Sequence, residues 1–154
     1  MATTISPGTV TVKITETVSL NSTNYDSINT LTIPNVNEIS QRIVTLPPQV
    51  TVELFKFSTW VAPGQFMKED VQYVRITNKD DTNPVAINVK YATGNTWTRV
   101  PAGRSFILGS AEASTQSVAS GTVGAPSMSD IEVISAYGPT EAVTMDLECY
   151  VALT

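Results

Sequence analysis

The sequence predicts an all-β fold, a sandwich or jelly roll of about eight to ten antiparallel strands with an extended N-terminal segment. Three observations carry that expectation. Apolar and polar residues alternate over one stretch after another. Clusters of Asn, Asp, Pro and Gly separate those stretches at short intervals. Helical periodicity is almost missing. The 154 residues fit one domain. Within it, 50–154 reads as the core sandwich and 1–48 as an N-terminal segment placed to reach a neighbour.

In chain order, Val10, Val12, Ile14, Val18 and Leu20 share one parity, with Glu16 interrupting. Thr11, Lys13, Thr15, Thr17 and Ser19 hold the other. Successive strand side chains point to opposite faces, so Thr9 to Leu20 reads as one long strand with a wet face. Asn21 to Ser27 is a polar loop containing Tyr25. A short strand around Leu31 to Ile33 ends at Pro34. Val36, Ile39 and Ile43 sit at helical spacing, so 37–42 reads as a turn or two of helix or an irregular crossover. Val44 and Leu46 suggest a strand that stops at Pro47-Pro48.

Val50 to Trp60 is a strand whose parity switches. Val50, Val52 and Leu54 share one face, and Phe55 and Phe57 take the other. That pattern requires burial on both sides or a bulge. Val61 to Met67 is a loop by its Pro63-Gly64, yet unusually apolar. Trp60, Phe66 and Met67 either fold back over the core or face a partner, since aromatics and Met are enriched at interface cores.

Val71 to Leu108 states the architecture most clearly, as four consecutive strands read as a meander. Val85, Ile87, Val89 and Tyr91 alternate with Ala86, Asn88 and Lys90. Asn78 to Pro84 makes the first turn, because Asn and Asp bond their own backbone and Pro can only open the next strand. Thr93-Gly94-Asn95 makes the second. Pro101-Ala102-Gly103 makes the third, with Gly free to take a positive φ. Gly109 to Asp130 is a Ser/Ala/Gly-rich loop of the length that is usually functional or mobile. Two strands close the chain, Ile131 to Tyr137 and Glu141 to Leu153. The last alternates strictly through Val143, Met145, Leu147, Cys149, Val151 and Leu153, which makes Cys149 a core thiol.

Composition narrows the function. Charged residues are only 15% of the chain, so Ser, Thr, Asn and Gln must cover much of the surface. Net charge is −5 and Lys and Arg do not cluster, which argues against nucleic acid and an anionic membrane as partners. No apolar run is long enough to span a bilayer. The start, MATTISPGTV, lacks the charged and apolar regions of a secretory signal, so use without Sec export is expected.

No enzyme is expected and no cofactor or metal. The chain contains no histidine and one cysteine, which removes Ser-His-Asp and Cys-His nucleophiles, His-based zinc sites and thiolate clusters. There is no GxGxxG or GxxxxGK phosphate cradle. Asp80 and Asp81 with Asn83 offer too few convergent oxygens for calcium, which takes about six to eight, so a solvated turn is the simpler reading. Asp146 and Glu148 alternate with the apolar face of the last strand and mark its solvent side.

The stretches VRITNKDDTNPVAINV, WTRVPAGRSFIL and SDIEVISAYGPTEAVTMDLECYVAL resemble small β-sandwich virion proteins of tailed bacteriophages. The shared features are the Ile76-Thr77-Asn78 strand end, the polar turn 80–84, the alternating strand Val85 to Tyr91 and the Pro101-Ala102-Gly103 turn. The resemblance covers roughly residues 70–154. It implies a capsid decoration (cement) protein that clamps neighbouring subunits of the major capsid protein, forms a homotrimer, and resides in virions assembled in the host cytoplasm. A tail, neck or fibre-base component, or a carbohydrate-binding sandwich using Trp60, Trp97, Tyr25 or Tyr91, are the alternatives. Expected partner contacts are Thr3, Ile5, Tyr25, Trp60, Phe66 and Met67.

Overall fold

The computed structural model describes residues 5–92, 94–109, 129–141 and 143–154. They form thirteen strands and no helix. In chain order these are β1 (Gly8–Glu16), β2 (Ser19–Leu20), β3 (Thr23–Asn24), β4 (Ser27–Val36), β5 (Glu38–Leu46), β6 (Thr51–Ser58) and β7 (Phe66–Met67). They continue with β8 (Val71–Asn78), β9 (Val85–Tyr91), β10 (Gly94–Val100), β11 (Ser105–Leu108), β12 (Ile131–Tyr137) and β13 (Met145–Leu153). A five-stranded sheet I, in the order β10-β9-β12-β6-β7, faces a four-stranded sheet II, in the order β11-β8-β13-β5. Every pairing is antiparallel except the short β6–β7 one. The fold is a β-sandwich.

One core fills the space between the sheets. Sheet I contributes Leu54, Phe55, Phe57, Val85, Ile87, Val89, Ile131 and Ile134, and sheet II contributes Leu46, Val74, Ile76, Leu147, Cys149 and Val151. The alternation of β9 and β13 delivers this directly, because every second residue faces the other sheet. The parity switch in β6 is a bulge. Ile134 pairs with Phe55 and Ser135 with Glu53, leaving Leu54 as the extra residue, and both Leu54 and Phe55 are buried.

The four strands of 71–108 are present, but they are not a meander. β8 and β11 pair with each other in sheet II, while β9 and β10 pair in sheet I. The chain therefore crosses the sandwich twice. Alternation reports which face of a strand is apolar, and a core-facing strand looks the same from either sheet. The first crossing is held by Asn78, whose buried side chain donates to the carbonyls of Asn83 (2.9 Å) and Val100 (3.3 Å) and accepts from the Asp80 amide (3.1 Å). Asp80 Oδ1 in turn accepts from the Thr82 and Asn83 amides at 2.8 and 2.5 Å. These two bonds, Asn83 foremost, hold its carboxyl below the usual carboxylate range. The second crossing uses Gly103 at φ 67°, and its amide reaches back to the Asp80 carbonyl at 3.1 Å.

Residues 37–42 do not make a helical turn. Asn37 joins β4 to β5, and 38–42 begin β5, which runs along β13 in unbroken register from Glu38↔Leu153 to Leu46↔Met145. Ile39 and Ile43 project from the outer face of this strand and Val36 belongs to β4, so their helix-like spacing comes from two different elements.

Residues 8–36 differ most from the linear reading. The polar loop at 21–27 is the tip of a long hairpin. β1 pairs antiparallel with β4 from Val10↔Ile33 to Glu16↔Ser27. Beyond that, β2 pairs with β3 around a two-residue turn at Asn21 and Ser22, both with positive φ (51° and 64°). That is the turn geometry matching the natural twist of a hairpin. β4 continues through Pro34 rather than stopping there. The register skips at Pro34-Asn35, with Asn35 at φ 59°, and a bulge is one of the few places a strand accepts proline.

Candidate functional site: a projecting hairpin arm

Residues 8–36 form an arm attached to the outside of sheet II. Directly opposed residues of a hairpin share a face, so Val10, Val12, Ile14, Leu31 and Ile33 line one side. Thr11, Lys13, Thr15, Ile28, Thr30 and Thr32 line the other. The apolar side rests at its root on the outer face of sheet II. There Ile33 and Val36, with Val10 and Val12, pack on Tyr73, Ala152 and Tyr150 in a second cluster separate from the core. Tyr73 and Tyr150 meet edge to face at 6.0 Å. Burial around Tyr73 also raises the pKa of its phenol. The Asn37 amide ties the root to the Leu153 carbonyl at 2.9 Å.

Cover then runs out. Exposure rises along the apolar side from 6% at Ile33 to 44% at Leu31 and 60% at Leu20. Ile14 and Val18 are about half exposed. Tyr25, whose amide donates to the Val18 carbonyl at 2.8 Å, adds to the exposed apolar surface near the tip, and Ile28 is exposed on the opposite side. A two-stranded hairpin without a third strand or other cover is at best marginally stable in water, and a contiguous exposed apolar strip marks an interaction surface.

The outer face of sheet II beside the arm root carries Ile39, Ile43 and Ile107, all exposed. Among them Arg75 pairs with Glu148 at 2.5 Å, Gln41 reaches the same carboxylate at 3.4 Å, and Lys79 lies 3.9 Å from it. Thr45 bonds Asp146 at 2.6 Å. Asp146 and Glu148 are thus fastened to neighbouring strands of the outer face. Among the described residues β5 ends sheet II, and its edge is guarded by Arg42, which points inward: its guanidinium donates to the Leu54 carbonyl and sits 5.6 Å from the centre of the Phe55 ring. An inward charge on an edge strand resists further strand addition.

The residues expected to meet a partner are scattered. Thr3 lies outside the described residues, as does most of the 109–130 loop. Ile5 is exposed just before β1, at the root of the arm, and Tyr25 is exposed near the opposite end. Trp60 and Val61 stand 66% and 84% exposed on the body, in the loop after β6. Phe66 and Met67 are half-buried and form β7, parallel to the end of β6. Phe66 folds back onto the core, its ring 6.0 Å from Phe55. Tyr91 is buried, and Trp97 lies half exposed on sheet I, edge-on to Tyr137 at 6.4 Å. Reading the sequence missed Ile14 and Leu31 as surface residues, because a strand pattern signals an apolar face without saying whether anything covers it, and it missed Ile39 and Ile43 because their spacing read as helical.

Cys149 is wholly buried, and burial pushes its thiol up to about 11 despite nearby Arg42. Among the described residues, no three His, Cys, Asp or Glu side chains gather where they could hold a metal ion. An open cleft of ≈ 480 Å³ on sheet I is lined by Trp60, Glu53, Lys56, Lys68, Lys90 and Glu132 among others.

No protein-family model matches the chain, and neither does any curated protein. Among solved structures it is similar to a chain of Bacillus endospore appendages, described as a novel family of disulfide-linked pili. The identity is 16% and the TM-score 0.41, covering 75% of this chain and 88% of that one. A likeness at that level transfers no residue role and no function. The fold and the site define a β-sandwich with an apolar hairpin arm.

Proposed function

We propose that this chain is a non-enzymatic structural subunit that works by burying surface against other subunits of a particle. The observation that carries this reading is the arm, whose apolar side is seated at its root and uncovered towards its tip. In its more specific form, the chain is a capsid decoration (cement) protein of a tailed bacteriophage, bound across major capsid protein subunits of the head. That form is supported by the sequence resemblance over residues 70–154, including the Asn78 corner and the Pro101-Ala102-Gly103 turn. Virions assembled in the host cytoplasm would be its location, and neither nucleic acid nor membrane its partner. The test is co-sedimentation of the purified chain with phage heads that lack it, alongside light scattering of the chain alone. Saturable binding to heads is expected. A chain that stays monomeric at all concentrations and never sediments with heads overturns the reading, and binding to isolated tails moves it to the tail.

A second reading, carbohydrate binding, is favoured by one feature: the exposed Trp60 indole at a cleft rich in charged side chains. Sugars stack on such rings. Quenching or a shift of Trp emission on adding oligosaccharides would support it, and silence across a glycan array would remove it.

A further inference from the structure

We infer that the free half of the arm docks on the outer face of sheet II of a second copy of this chain, in a head-to-tail contact. The inference rests on the structural-subunit reading and names the arm's partner. It starts from continuity. The apolar side of the arm runs from root to tip, broken once by Glu16, and its root half already sits on an outer face of sheet II, with Val10, Val12, Ile33 and Val36 on Tyr73, Tyr150 and Ala152. The outer half, Ile14, Val18, Leu20 and Leu31, has the same aliphatic chemistry but runs beyond its own seat. The seat itself is covered in every copy by that copy's own arm, but the outer face continues past it, open at Ile39 and Ile43, and a second copy presents that open part.

The receiving surface is also present. Next to the seat, Ile39 and Ile43 project on the same side of β5, each about half exposed, with Gln41 between them. Contact through this face, rather than through the β5 edge, follows from Arg42 guarding that edge. Donor strip and receiving face are different parts of the molecule. Such a contact is heterologous, so each copy gives one arm and receives one, and the series closes into a ring or continues as a filament.

This asymmetry supplies the test. Leu20→Asp disables the arm and leaves the receiving face intact, while Ile43→Asp does the reverse. Both positions are exposed, and because Ile43 lies directly opposite Glu148 on β13, circular dichroism and urea unfolding check that each variant is folded under the assay conditions. Each variant alone is expected to associate at least about tenfold more weakly than the parent chain. Mixed in equal amounts, the two are expected to form a heterodimer that grows no further, because one intact arm and one intact face remain per pair. Light scattering coupled to size-exclusion chromatography reads this directly. An Ile14→Cys chain mixed with an Ile43→Cys chain should also form a disulfide-linked heterodimer on mild oxidation, with neither linking to itself. Association of Ile43→Asp as strong as the parent's, or a mixture that stays monomeric, overturns the inference. Arm-dependent binding to heads by a chain that never self-associates overturns it while leaving the structural reading in place. Loss of both self-association and head binding overturns the two together.

Discussion

The wholly buried side chain of Asn78 donates a 2.9 Å hydrogen bond to the backbone carbonyl of Asn83, across the corner where the chain passes from sheet II to sheet I. The same amide reaches the Val100 carbonyl, and the side-chain oxygen takes the Asp80 amide. One side chain therefore supplies partners to three backbone groups at a point where ladder bonding is interrupted.

Asn78→Ala should destabilise the chain by about 2–3 kcal/mol, because it leaves buried backbone groups without partners. Asn78→Asp should cost at least as much, since a carboxylate cannot donate to two carbonyls. Urea unfolding followed by circular dichroism measures both. A loss within experimental error of zero would mean that the corner holds without its amide.

Asp80 makes the same corner sensitive to acid. Its pKa is lowered in the folded state, so its contribution is present above the ordinary value of 3.8 and lost as pH falls through the folded one. Asp80→Ala should cost about 1 kcal/mol near neutrality. The gap between variant and parent should narrow steadily below pH 4. Equal gaps at pH 7 and pH 3 would show that the carboxylate charge is not what the turn amides bind.

Cys149 acts in the opposite direction along the pH scale. Its folded pKa of about 11 exceeds the ordinary 9.0. Between those values the unfolded chain gives up a proton that the folded chain keeps, so this thiol's contribution to stability falls as pH rises from 9.0 to about 11. Tyr73, also raised, adds a loss of the same sign at alkaline pH. Cys149→Ala should flatten the alkaline limb of a plot of midpoint against pH. In the parent chain an aromatic disulfide reagent should label Cys149 only on unfolding, and labelling in native buffer at the rate of a free thiol would contradict its burial.

Arg42→Leu should change solubility more than stability. The guanidinium over Phe55 contributes about 0.5–1 kcal/mol, which an aliphatic chain against the same ring largely replaces. What disappears is the charge guarding the β5 edge, so thioflavin-positive or high-molecular-weight species should appear at concentrations where the parent chain is clear. A variant as soluble as the parent would show that the edge is protected by other means.

Hydrogen exchange should separate arm from body. Amides of β8 and β13, in the middle of sheet II, should exchange only on global opening, and those of β2, β3 and the outer parts of β1 and β4 much faster in dilute solution. The arm amides should become protected as the concentration is raised. Arm protection that does not depend on concentration would mean that the hairpin holds its shape alone.

Much of the body is visible in the sequence. The strict alternation of β9 and β13, the parity switch at Leu54 and the Gly of the 101–103 turn each carry a local rule into the structure unchanged. Which sheet a strand joins is not local, so β8 to β11 read as one meander when they are two pairs. β5 was obscured because Val36, Ile39 and Ile43 mimic a helical face, an accident of placing two exposed residues on an edge strand after a buried one on its neighbour. The arm was half visible. Val10 to Leu20 announces an apolar face through its spacing, but the spacing of a covered face and an uncovered one is the same. Phe66 shows the converse: an aromatic in an apolar loop looks available until the β6–β7 pairing turns it inward.

β13 lies between β8 and β5, and both the core and the seat of the arm depend on it. Tyr150 and Ala152 come from this strand, more than a hundred residues after the arm they receive. A chain emerging from the ribosome therefore makes its arm early and its seat last, with long-range pairings that form slowly. Until then the aliphatic strip has no place to rest in its own molecule. In the head-to-tail contact inferred above, competence to receive a neighbour is thereby delayed: an unfinished chain can offer an arm but cannot accept one, so growth by successive addition would stop at any incomplete copy.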